Sequence, residues 1–169
     1  MKRLIGFSVS VLYLALAGCG EESDELPVDG RDFDGVEYSE PAPYTGKVID
    51  GYLNNARVWL DMDGDSQFTP GPLVIELDNG AEVTLASGEP TAMSGTGGRF
   101  TIDISELVLP PSVGPDLDPR DYPLHAVALP GKTLEETHNG EVPVANAYLM
   151  SAPPGVRNIT PMTTLARYR

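Results

Sequence analysis

Residues 73–86 read Leu-Val-Ile-Glu-Leu-Asp-Asn-Gly-Ala-Glu-Val-Thr-Leu-Ala. Two short runs, rich in apolar and β-branched residues, flank Asp78-Asn79-Gly80-Ala81. Asn and Gly tolerate the positive φ angles of a tight turn, so the stretch predicts an antiparallel hairpin. Outward from it the same short period recurs. Ala56, Val58 and Leu60 alternate with Arg57, Trp59 and Asp61, and Phe100-Thr101-Ile102-Asp103-Ile104 alternates after a Gly95-Thr96-Gly97-Gly98 turn. Residues 124–129 and 144–150 predict two more strands, with a turn at Asn139-Gly140. No segment of this region keeps a 3.6-residue apolar period. Short strands separated by Gly, Pro and Asn predict an all-β fold, an antiparallel β-sandwich of about seven strands over residues 44–157. Pro110, Pro111, Pro115, Pro119 and Pro123 mark a long loop within it.

The flanks read differently. Over residues 158–169, Thr160 suits a helix N-cap and Pro161 the first helical turn. So short a helix is marginal unless packed. Either it docks on the sandwich or it begins a longer segment of the natural chain, and its shortness favours the second. At the other end, Lys2 and Arg3 precede an apolar run from Leu4 to Ala17, then Gly18 and Cys19. The run falls short of the roughly 20 residues a spanning helix needs, and the pattern is that of a signal peptide over residues 1–18. Residues 19–43 are rich in Asp, Glu, Gly and Pro and predict a disordered acidic tether.

Leu16-Ala17-Gly18-Cys19 resembles the bacterial lipobox. That resemblance implies cleavage before Cys19 and covalent lipid, diacylglyceryl and an acyl group such as palmitate, on the cysteine. Two or more acyl chains hold a protein stably at a membrane. Gly20 stands where an Asp would suggest inner-membrane retention, so by resemblance the expected location is the outer membrane of a Gram-negative cell. Cys19 is the chain's single cysteine, so no disulfide forms within the chain.

The chain has 25 acidic and 11 basic residues, a formal net charge of −14. That balance argues against nucleic acid, whose phosphates need Lys and Arg. Divalent cations and cationic partners fit it, and acidity that merely keeps the protein soluble fits it too.

Lys47-Val48-Ile49-Asp50-Gly51-Tyr52-Leu53, then Ala56 to Asp61, an Asp-rich loop and Gly98-Arg99-Phe100-Thr101-Ile102 resemble, in that order, the pattern of carboxypeptidase-regulatory-like and Cna-B-like domains of bacterial surface lipoproteins. Asn158 to Leu165 resembles a segment that follows such domains in larger lipoproteins, with Met162 in place of a Leu. The resemblance implies a transthyretin-like sandwich acting as an adhesion, spacer or carbohydrate-facing module, without catalysis of its own.

Asp61-Met62-Asp63-Gly64-Asp65-Ser66-Gln67 sets three carboxylates two residues apart. Calcium takes six to eight hard oxygens, and a curved loop aims positions one, three and five inward. Asp61, Asp63 and Asp65 are the expected metal ligands, with the Gln67 carbonyl at position seven. The loop departs from an EF-hand at position six, which is Ser66, and at position twelve, which is Pro72. Glu76 or Asp78 are the candidates to replace the missing carboxylate. An acidic surface turn explains the same residues without an ion.

No nucleophile–base pair or open metal site stands out. His125 lies in an apolar strand and reads as packed, and His138 sits in a turn. Trp59 points away from Val58 and Leu60, either covered by the C-terminal segment or exposed for stacking on a sugar. The expectation is a non-catalytic, lipid-anchored envelope module, a spacer or a binder of glycan or envelope protein with calcium as a structural ion. The alternative is an accessory domain of a larger envelope enzyme whose catalytic part lies beyond residue 169.

Overall fold

The computed structural model describes residues 44–167. The expected signal peptide, the Cys19 lipid site and the acidic tether lie outside the described residues. Among the described residues, twelve short strands and one α-helix follow one another. They are β1 (Tyr44–Val48), β2 (Leu53–Asn54), β3 (Arg57–Leu60), β4 (Leu73–Glu76), β5 (Glu82–Leu85), β6 (Thr91–Met93), β7 (Arg99–Ile102), β8 (Leu124–Ala128), β9 (Leu134–Thr137), β10 (Gly140–Pro143), β11 (Tyr148–Ala152), β12 (Asn158–Ile159) and α1 (Pro161–Arg167). The fold is all-β and sandwich-like, and it does not close into a barrel.

A four-stranded sheet runs β11-β8-β3-β6, and a three-stranded sheet runs β12-β1-β7. A second three-stranded sheet, β10-β9-β2, and the two-stranded β4-β5 complete the described strands. All pairings are antiparallel except β1 with β12. Period-two alternation does what it should. Val58, Ala126 and Met150 are register partners and are buried, as are Leu60, Leu124 and Ala152 one step along. Val48, Ile159, Phe100 and Ile102 of the three-stranded sheet join the same apolar core. Burying side chains of this size is worth roughly 1.5–3 kcal/mol each. Gly46 lets β1 pass close to its neighbours, since a Cβ there would lie 2.0 Å from the Arg157 carbonyl oxygen.

The hairpin at residues 73–85 forms as the sequence predicts, with Leu73 opposite Leu85 and Glu76 opposite Glu82. Its turn is one residue longer than a two-residue Asn-Gly turn. Leu77 N donates to Ala81 O, and only Gly80 takes a positive φ, 79°. The Asn79 side chain instead accepts from Ala81 N. The strand predicted at 144–150 lies at 148–152, and residues 134–143 form a second hairpin with Asn139 in its turn. Strand count exceeds expectation because β2, β6 and β12 are only two or three residues long.

α1 starts as predicted, with Thr163 N donating to Thr160 Oγ1. It docks on β11. Thr163 Oγ1 and Thr164 Oγ1 donate to Ser151 O, and Ser151 N donates to Thr164 Oγ1. Among the described residues, no helix is long and apolar enough to cross a membrane.

Candidate cation-binding loop

β3 ends at Leu60 and delivers Asp61, Asp63 and Asp65 into one turn. A carboxylate oxygen from each lies within 4.8 Å of the others. Their chemistry is that of a hard-cation site: three carboxylates from alternate residues of one curved loop. The curvature has a local cause. Gly64 and Ser66 both take positive φ, at 78° and 62°. Asp63 Oδ1 accepts from Asp65 N, Asp65 Oδ1 from Gln67 N, and Asp61 Oδ1 from Ser66 N. Ser66 thus adopts the backbone that a glycine usually provides.

The three acids differ in surroundings. Asp63 and Asp65 are exposed, whereas Asp61 is buried. Its Oδ2 lies 3.2 Å from His125 Nε2 and 3.3 Å from Arg167 Nη2. Arg167 Nη1 also contacts His125 Nε2. Asp61 therefore faces two ways, one oxygen to the loop and the other to the end of α1. Burial, and next the neighbouring Arg167 charge, hold the His125 pKa below its usual value against the opposing pull of Asp61.

The residue that closes the loop from below is Glu89. It is 1 % exposed. Its Oε1 accepts from Met62 N at 2.8 Å and its Oε2 from Thr69 N at 2.9 Å. One carboxylate thus staples both ends of the loop. Burial pushes its pKa up to about 7 against those two hydrogen bonds, and the charges of Asp63 and Asp61 push the same way. Glu76 and Asp78, the sequence candidates for a further ligand, do not supply this carboxylate. They line a separate cavity of about 280 Å³ with Asp116, Asp118, Asp121 and Tyr122.

Trp59 is 3 % exposed. His125 stacks on it at 5.3 Å between ring centres, and Phe68 meets it edge-on at 6.3 Å. Arg57 caps Phe68 in turn, 4.8 Å from the ring centre. The sugar-stacking role considered for Trp59 is therefore corrected: its ring is buried beneath the loop. His125 is packed, as its apolar strand predicts, and His138 lies exposed in the β9–β10 turn. Sequence reasoning missed Glu89 and Arg167. Neither carries a local signal, because each reaches the loop through the tertiary fold.

No family model, no curated protein and no solved structure matches this chain.

Proposed function

We propose that this chain is a non-catalytic, lipid-anchored module of the cell envelope, a spacer or binding domain for glycan or protein, stiffened by calcium at Asp61, Asp63, Asp65 and the Gln67 carbonyl. The supporting observation is the way the acidic loop is built into the domain. Its carboxylates converge, and its ends are tied to the core by Glu89 and to α1 by Asp61. A cation there neutralises crowded charge and rigidifies a loop already joined to Glu89, to His125 of the four-stranded sheet and to α1. Its role is structural, consistent with a module whose task is to hold shape.

The test is thermal unfolding in millimolar calcium and in chelator. Calcium raises the melting temperature of the wild type, and Asp63→Ala lowers it only when calcium is present. An equal drop in chelator sinks the calcium site.

A second reading, an accessory domain for an enzyme whose catalytic part lies beyond residue 169, has one observation in its favour. α1 turns Leu165 outward, 64 % exposed, while burying Thr163. A short helix that displays its apolar side chain suits contact with a further domain. Activity that appears only with added C-terminal sequence favours this reading.

A further inference from the structure

Two Asn-Gly pairs sit in hairpin turns of this domain, and the fold treats them differently. Asn79-Gly80 joins β4 to β5, and Asn139-Gly140 joins β9 to β10. Both asparagines are exposed. Both glycines take positive φ, 79° and 107°, and a Cβ at either would meet nothing within 4 Å. Such a backbone favours glycine, and the same glycine leaves its nitrogen unshielded beside the preceding amide. The Asn79 side chain is tied at both ends. Its Oδ1 accepts from Ala81 N at 2.9 Å, and its Nδ2 donates to Val113 O at 3.1 Å. Val113 belongs to the proline-rich loop, which therefore holds this amide in place. Among the described residues, the Asn139 side chain makes no hydrogen bond, and its backbone N donates to Thr137 Oγ1 at 3.2 Å. The same Thr137 Oγ1 donates to Gly140 O at 2.7 Å. That hydroxyl thus bridges the Asn139–Gly140 link without touching the amide.

We propose that Asn139 is a site of spontaneous deamidation in the folded protein, and that Asn79 is held against the same reaction. The Gly140 backbone nitrogen attacks Asn139 Cγ. The new N–Cγ bond closes a five-membered succinimide, the Cγ–Nδ2 bond breaks, and ammonia leaves with the proton from Gly140 N. Water then opens the ring. Attack at Cγ gives Asp at 139, and attack at the backbone carbonyl gives isoaspartate, with the main chain routed through the side chain. Water is the single co-reactant, and nothing is oxidised or reduced. For Asn79 to reach the attacking geometry it must surrender both side-chain bonds, whereas Asn139 surrenders none. Two bonds of ordinary strength correspond to about thirtyfold in rate. Isoaspartate lengthens the main chain by one carbon inside the span that Thr137 bridges, so both Thr137 bonds are lost. β10 buries no residue and is held by pairing with β9 and by Asn54 Nδ2 donating to Glu141 Oε1. The product therefore loosens the outer hairpin and leaves the core intact. The inference does not depend on the calcium loop or on lipid at Cys19.

The experiment is incubation of the full chain, folded and in denaturant, in the same mildly alkaline buffer. Peptide mass mapping follows, at each asparagine, the mass gained when the amide NH2 becomes OH. Labelling with an isoaspartyl methyltransferase separates isoaspartate from Asp. In denaturant the two sites should react at similar rates, since each is then an Asn-Gly pair without side-chain bonds. In the folded protein Asn139 should react about thirtyfold faster than Asn79. Equal rates at the two sites in the folded protein, or faster reaction at Asn79, overturn the proposal. In the isoaspartate fraction, hydrogen exchange should quicken at Glu141 and Val142 and stay unchanged in β4 and β5. Unchanged exchange in β10 overturns the loosening of the outer hairpin.

Discussion

The loop from Asp61 to Thr69 and the turn from Asp78 to Gly80 are written in similar residues and held by different forces. Each is short, acidic and glycine-containing. The 78–80 turn is held mainly by local contacts: Gly80 takes the positive φ, Asn79 accepts from Ala81 N and donates to Val113 O, and two strands with Leu73, Val83 and Leu85 against the core hold the ends. The 61–69 loop is not spanned by a hairpin of its own; its ends meet the backbone of residues 88–90. Polar side chains from distant segments help to hold it: buried Glu89 beneath it, and buried His125 with half-buried Arg167 behind Asp61. An apolar anchor tolerates changes of charge and pH. A buried carboxylate anchor does not, because desolvated charge is stable only while its partners remain.

Four measurements sharpen or break that contrast. The largest effect belongs to the apolar anchor: Leu85→Ala should cost about 3 kcal/mol in denaturant unfolding, independent of pH. A cost below about 1 kcal/mol would mean that the hairpin contributes little to the core. Asp61→Ala comes next. It strips the carboxylate from Arg167 and His125 and should cost about 2 kcal/mol even in chelator. Hydrogen exchange should quicken in α1 more than in β4. An unaltered α1 would show that the helix is held by its threonines alone.

Glu89→Gln should cost about 1 kcal/mol, since one of its two N–H partners then faces an amide group. Its clearer signature is in pH. The folded-state pKa, about 7, lies above the ordinary 4.5. The folded protein therefore holds this proton more tightly than the unfolded chain. The resulting stabilisation is complete below about pH 4.5 and is lost as pH rises through 7. In chelator, wild-type stability should fall across that window, and Glu89→Gln should remove that component. Identical profiles would show that Glu89 does not titrate there. The smallest effect is expected at the outer hairpin, where Val142→Ala should change stability by less than about 0.5 kcal/mol.

That last site also shows where sequence reading fails. The hairpin at 73–85 was legible because Leu73, Val83 and Leu85 alternate toward a core. The hairpin at 134–143 was not, because Leu-Glu-Glu-Thr and Gly-Glu-Val-Pro bury nothing fully and so write no period. Backbone pairing with β2 holds it, together with a bond from Gly97 N to Glu136. Only its turn, at Asn139-Gly140, left a mark. The candidate site divides the same way. Asp61, Asp63 and Asp65 are close in space because they are close in sequence. Glu89 shares no pattern with them and lies in an unremarkable Ser-Gly-Glu-Pro stretch. Local spacing reveals ligands from one loop, and only the fold reveals what fixes that loop in place.

The pairing of β1 with β12, and of Asp61 with a residue 106 positions later, sets the order in which the domain can be completed. A chain made from its N-terminus holds β1 and the acidic loop early. It cannot finish the β12-β1-β7 sheet or seat Arg167 until residues 158–167 are free. Until then β1 has an unpaired edge, and such edges invite other strands. Contacts so distant in sequence also slow the search for the native state. A net charge of −14 favours keeping incomplete chains apart through mutual repulsion while β1 waits for β12.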